Sequence, residues 1–133
     1  YDRMKRINKF EEHLVANGTI VLKFYLNLSK EEQKIRLLRR LNIPEKNWKF
    51  SEGDLKERKL WDAYQICYED LLNRTSTGYA PWFIVPADDK ESARFIVAKT
   101  LLKEMEKHNF EEPKLATKIW KQITTFKEQL NNE

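Results

Sequence analysis

The stretch "TIVLKFYLNL", residues 19–28, constrains this chain more than any other. It is β-branched, aromatic and almost continuously apolar, and far too short for a membrane-spanning helix. Such a run suits a strand buried on both faces of a parallel sheet. Ser29-Lys30-Glu31-Glu32 follows at once. This is a capping box, in which the Ser29 hydroxyl and the Glu32 carboxylate satisfy each other's free backbone donors. A strand feeding directly into a helix is therefore the first fixed point. "WFIVPA", residues 82–87, repeats the arrangement: a short apolar strand with Pro86 at its end, then Asp88 or Asp89 to cap a helix.

The rest arranges itself around these two units. Met4, Ile7, Phe10, Leu14 and Val15 recur at helical spacing, and Gly18 stands where a helix end is capped. Ile35, Leu37, Leu38 and Leu41 place a helix after Ser29 that ends before Pro44. Ser51 or Asp54 can start a second long helix carrying Leu55, Trp61, Tyr64, Tyr68, Leu71 and Leu72. Residues 73–81, "NRTSTGYAP", form a polar loop. Ala93, Ile96, Val97, Leu101 and Met105 lie on the helix after the second strand. From Pro113, Leu115, Ile119, Trp120, Ile123, Phe126 and Leu130 make a last amphipathic helix. Strands separated by helices give one right-handed parallel βαβ unit, so the class is α/β. Two strands are few for a sheet, which points to the second half of a larger α/β domain.

Bulk properties exclude several classes. With 133 residues there is room for one domain and not two. No apolar run reaches the length of a membrane-spanning helix and no signal peptide opens the chain. Cys67 is the single cysteine, which rules out an internal disulfide and a cysteine-rich metal site; a reduced cytoplasmic setting is expected. His13 and His108 have no metal-ligand spacing, and no serine or cysteine nucleophile with a histidine partner can be assembled. The net charge of +4 leans towards an anionic partner. Yet Gly18, Gly53 and Gly78 belong to no phosphate-cradling loop.

The basic residues cluster around one break. Arg36 and Arg40 are four apart and share a helix face, whereas Arg39 and Lys34 are offset from it. Two guanidiniums on one face can clamp phosphate oxygens. They can equally pair with Glu32 or Glu45, or face water. The segment "NIPEKNWKFSEGD", residues 42–54, follows. There Lys46 and Lys49 surround Trp48, which can stack on a base or anchor the loop to a core. Pro44 and Gly53 bracket the segment as a hinged flap would require, or as any connection allows. Asp88 and Asp89 stand at a strand's carboxyl end, where α/β sheets bind ligands, but helix capping explains them as well. Thr75, Ser76 and Thr77 offer hydroxyls for a ligand or for an ordinary turn.

Four blocks together carry a resemblance: "LKFYLNLSKEEQKIRLLRRL", "PEKNWKFSEGDLKERKLWDAY", "YEDLLNRTST", and "APWFIVPADDK" followed by "AR". In this order they resemble the C-terminal half of the polyphosphate kinase type 2 family, over roughly residues 1–112. The resemblance implies a P-loop kinase-like fold related to thymidylate kinase: a parallel sheet with flanking helices and a helical lid at about residues 36–58. It implies Mg²⁺-dependent, reversible phosphoryl transfer between inorganic polyphosphate and nucleotides (ADP/ATP, AMP or GDP). A homo-oligomer is expected, and neither membrane nor nucleic acid is an expected partner. Arg40 and Arg36 match the family's lid arginines, and Lys46, Trp48 and Lys49 match its "P-x-K-x-W-K" block. Asp88, Asp89, Lys90 and Arg94 match a signature after the last strand. The family's Walker A loop, with its Mg²⁺-binding aspartate and phosphate-binding lysine, is expected N-terminal to Tyr1, as is Walker B. Asp2-Arg3 belongs instead to the helix that follows Walker B. The 133 residues alone are therefore expected to be inactive, with residues 113–133 an amphipathic helical tail. Two rival readings are a non-catalytic module holding polyphosphate or nucleic acid, and a helical scaffold with an incidental basic face.

Overall fold

The computed structural model describes residues 2–108 and 110–132. Elements run α1 (Asp2–Ala16), β1 (Lys23–Asn27), α2 (Lys30–Asn42), a 3₁₀ helix (Pro44–Lys49), α3 (Glu52–Arg58), α4 (Trp61–Thr75), β2 (Trp82–Pro86), α5 (Lys90–Glu106) and α6 (Thr117–Asn131). β1 and β2 pair in parallel, from Lys23 opposite Trp82 to Asn27 opposite Pro86. The α/β class read from the sequence is the one observed. Among the described residues no helix is long and apolar enough to cross a membrane.

Two compact units make up the chain, Tyr1–Thr100 and Leu101–Glu133, with α5 running through the boundary. In the first unit the sheet carries helices on both faces. Val85, Ala87 and Ala93 form the buried centre of one side, with Phe24, Leu28, Ile96 and Val97 packed on it, so the start of α5 covers that face. On the other face Tyr25 meets Tyr68 of α4 at 5.1 Å between ring centroids. Glu11 of α1 reaches Lys23 there as well. In the second unit Lys107 and His108 gather around Glu104, and α6 repeats Ile119, Ile123, Phe126 and Leu130 along one stripe.

α4 runs through Thr75 into the loop expected at residues 73–81, and α6 starts at Thr117 rather than Pro113. Three further details differ from the sequence expectation. The first strand covers residues 23–27 and not 19–28, because its partner is only five residues long. Pro81 and Pro86 bound that partner, and neither has an N–H to extend the ladder. Nor is the strand buried on both faces: Leu26 is 57% exposed and none of the five strand residues is fully buried. The second difference is in the helix starting at Ser51, which is two helices. Lys59 and Leu60 tighten into i→i+3 bonds onto Lys56 and Glu57, and Tyr64 N–H restarts the helix on Leu60 C=O. Arg58 is held by α2 while Tyr64 donates to Glu57, so side-chain ties on both flanks fix the break. The third is the rotation of α1. Phe10 faces solvent, and Glu11 is buried in the middle of the packed face.

That burial is paid back by one ion pair. Lys23 Nζ donates to Glu11 Oε2 at 2.7 Å and to Thr75 C=O at 2.5 Å, with the two side chains 9% and 10% exposed. The Trp82 indole N–H donates to Thr75 Oγ1 at 2.8 Å, and the Lys23 ammonium lies 5.3 Å from the Trp82 ring centroid. α1, α4 and both strands meet at this knot. At the end of α1, Gly18 adopts φ 83°, a left-handed conformation that favours glycine, and Thr19 N–H closes on Leu14 C=O.

Candidate functional site

α2 begins as its sequence demands and then departs from it. Ser29 Oγ accepts from Glu32 N–H at 3.0 Å, which is half of a capping box. The other half is supplied from 59 residues away, since Ser29 N–H donates to Asp88 Oδ1 at 2.7 Å. Glu32 is thereby released and accepts from Arg36 Nε at 2.8 Å. Arg36 also donates through Nη2 to the carbonyls of Ala87 (2.7 Å) and Asp88 (3.0 Å). The pairing with Glu32 foreseen as the plain alternative for Arg36 is thus present, and the guanidinium also ties α2 to the end of β2. Asp88 and Asp89 divide the work at that end. Asp88 turns back to Ser29, and Asp89 caps α5 by accepting from Ser92 N–H at 2.8 Å. Hydrogen bonds from Ser29 and from Ser92 hold both carboxyls below the usual carboxylate range.

Arg40 is held more loosely. Its Nη1 lies 3.5 Å from both Lys49 C=O and Asp54 Oδ2, at the outer limit of a hydrogen bond. Asp54 is shared with the cap of α3, where Ser51 and Asp54 complete a capping box. The segment between α2 and α3 is pinned by Asn47. Its Nδ2 donates to the carbonyls of Arg40 (2.7 Å) and Leu41 (2.9 Å), in the last turn of α2, and lies 3.3 Å from that of Ile43, which also accepts from Lys46 N–H. Trp48, the other anchor considered, is 78% exposed and anchors nothing; Lys49 Nζ lies 4.9 Å from its ring centroid. Asn47→Ala is expected to loosen the segment by about 1 kcal/mol, since water takes over part of each bond. Faster amide exchange at Lys46 and Phe50 is the measurement, and unchanged exchange there would contradict the role.

These elements enclose a cavity of about 600 Å³. Seven of the nine sequence-predicted residues line it: Arg36, Arg40, Lys46, Lys49, Asp88, Asp89 and Lys90. Trp48 and Arg94 are outside the lining, and Arg94 is exposed on α5. Sequence reasoning set Arg39 apart from the Arg36–Arg40 face, but it lines the same cavity. The wall is two rows wide, and Arg39 is three residues from Arg36, a spacing that already makes them neighbours. Asn47 was also missed. An asparagine just past a helix end, able to reach its last carbonyls, is the signal that would have found it.

The charges here are unevenly committed. Among the described residues, the side chains of Glu32, Asp88 and Asp89 each have a partner and that of Glu91 has none, whereas those of Arg39, Lys46 and Lys90 make no hydrogen bond or ion pair. On balance the open valence of the cavity is cationic, with Arg39, Lys46 and Lys90 set against Glu91, and suits an anion with several oxygens. A second cavity of about 550 Å³ lies across α2, lined by Tyr25, Trp61, Tyr64 and Tyr68 and again by Arg36 and Arg40. For Mg²⁺ the fit is poor. No three Asp, Glu, His or Cys side chains are placed to hold a metal ion among the described residues, and both cavity aspartates are engaged by amides.

The profile of the family "Polyphosphate kinase 2 (PPK2)" matches residues 1–113. This chain belongs to the polyphosphate kinase 2 family. An uncharacterised protein in the chlN 3′ region of Leptolyngbya boryana is 47% identical to it over 131 residues, covering 98% of this chain and 96% of that one. An ADP-polyphosphate phosphotransferase of Rhodopseudomonas palustris is 45% identical over 130 residues, 98% of this chain and 45% of its own length. The polyphosphate kinase 2 structure from Arthrobacter aurescens superposes with a TM-score of 0.85 at 39% identity, over 99% of this chain and 46% of that one. The chain thus spans less than half the length of the phosphotransferase and the polyphosphate kinase 2 structure, and nearly all of the uncharacterised relative.

Proposed function

We propose that these residues are the lid-bearing C-terminal part of a P-loop kinase-like polyphosphate:nucleotide phosphotransferase. Residues 36–58 act as the lid over a half-domain of residues 1–112, and 113–133 form an appended tail. The observation that carries the reading is the convergence of Arg36, Arg39, Arg40, Lys46, Lys49 and Lys90 on one cavity in a member of this family. Inorganic polyphosphate is the donor in this reading, and a nucleoside mono- or diphosphate the acceptor. The relatives' names support both, being ADP-polyphosphate and AMP/ADP-polyphosphate phosphotransferases.

The chemistry assigned to this part is electrostatic. Phosphoryl transfer asks the protein to position reactants and to offset charge on the equatorial oxygens. Arg40 meets the transferring phosphoryl as the lid closes, Arg36 keeps α2 on the strand ends, and Arg39, Lys46, Lys49 and Lys90 hold the polyphosphate chain. Mg²⁺ would supply charge neutralisation between phosphates; its ligands and the phosphate cradle are assigned to sequence outside these residues, so the 133-residue chain alone does not turn over.

A chimera tests this. The part of the Rhodopseudomonas palustris relative preceding its matched region is joined to this chain. The folded chimera is expected to form ATP from ADP and polyphosphate with Mg²⁺, whereas the chain alone forms none. A folded chimera that binds polyphosphate salt-dependently without turnover would favour the rival reading of a binding module.

A further inference from the structure

We propose that Asp88 is a positioning residue that acts through α2 and not a ligand of the anion in the basic cavity. The inference rests on the anion-site reading above and goes beyond it, since that site was expected to include Asp88 as a binding residue.

The geometry carries the assignment. Asp88 Oδ1 accepts from Ser29 N–H at 2.7 Å, at the N-cap of α2. Two turns on, Arg36 Nη2 donates to the Ala87 and Asp88 carbonyls. Two separate ties therefore staple the first two turns of α2 to the turn after β2. α2 presents Arg36, Arg39 and Arg40 to the cavity, so the staple sets where those guanidiniums stand. A carboxylate is well suited to the task, because a helix N-terminus offers unsatisfied N–H groups and a positive dipole end. It is ill suited to touching polyphosphate, which would repel it. The hydrogen bonds that hold its carboxyl below the usual range come from Ser29 and keep it ionised in place. Glu91 lines the same cavity without such a tie and serves as an internal control.

Bare electrostatics and the latch predict opposite signs. Removing a negative charge from an anion site should tighten binding, and Glu91→Gln is expected to lower the Kd for a polyphosphate of defined length by about two- to fivefold. Asp88→Ala is expected to raise that Kd roughly tenfold, because α2 loses a charged hydrogen bond at its cap. Asp88→Asn, which keeps an acceptor oxygen, should fall between the two. Amide exchange supplies a readout independent of binding: in Asp88→Ala the Ser29 amide should exchange faster, while the α5 cap at Ser92 stays protected. Faster exchange at Ser29 together with weaker binding supports the proposal. Unchanged exchange at Ser29 overturns it, as does Asp88→Ala binding polyphosphate as tightly as Glu91→Gln. If the wild-type chain shows no polyphosphate binding, the anion-site reading fails and so does the positioning role that rests on it. The exchange result then still reports whether the latch exists.

Discussion

Arg40→Ala in the chimera is expected to lower polyphosphate-driven ATP formation about 10³-fold, the lower end of what an arginine at a phosphoryl transition state is worth. The loss should be in kcat, with the fold unchanged. The reason is how the two arginines are held. Arg36 is fixed by three bonds of 2.7–3.0 Å to Glu32, Ala87 and Asp88, and its removal would loosen α2 itself. Arg40 has two contacts at 3.5 Å and a side chain 41% exposed, so little is lost when it swings onto a phosphate. Arg40→Lys should recover only part of the rate, because a point charge replaces a planar fork that can bind two oxygens at once. Steady-state kinetics with matched circular dichroism separates these outcomes. Near wild-type turnover in a folded Arg40→Ala chimera would remove Arg40 from the mechanism.

The largest effect on stability is expected at the knot beneath the sheet. Lys23→Ala leaves the Glu11 carboxylate buried without a partner, and such a break costs about 3–5 kcal/mol. That is a large share of the roughly 5–15 kcal/mol by which domains are stable. Denaturant unfolding of the 133-residue chain measures it. The double variant Lys23→Met/Glu11→Leu should recover most of the loss, because an apolar pair of similar size carries no buried charge. If Lys23→Ala alone costs less than about 1 kcal/mol, the pair is better solvated than its 9% and 10% exposures indicate.

What could be read in advance follows the range of the interactions. α2 was legible because its cap, its apolar spacing and its stop at Pro44 are local to ten or so residues. The basic character of the segment after it was equally plain, and so was the strand-then-helix pattern at both strands. What escaped depends on partners distant in sequence. A capping box predicts that Glu32 turns back on Ser29, and nothing near Ser29 announces that Asp88 will take that amide instead. Phe10 looked like a core residue because it is apolar, yet Lys23 draws Glu11 inward and rotates α1. The length of β1 is set by two prolines sixty residues on. Arg39 was set apart by the angle between successive helix residues, although a cavity wall formed with the folded-back segment accepts more than one row. The role of the site rests on the family's motif order, since charge and spacing alone favoured paired or solvated arginines over a phosphate clamp.

The central claim is that the cations of one cavity hold a polyphosphate chain, and a salt titration tests it most directly. A polyphosphate of defined length is titrated into the 133-residue chain at rising salt, then into Arg39→Ala/Lys46→Ala/Lys90→Ala. The account predicts that log affinity falls linearly with log salt in the wild type, and that removing three cations flattens the slope by about 2. Equal slopes for the two proteins would contradict it.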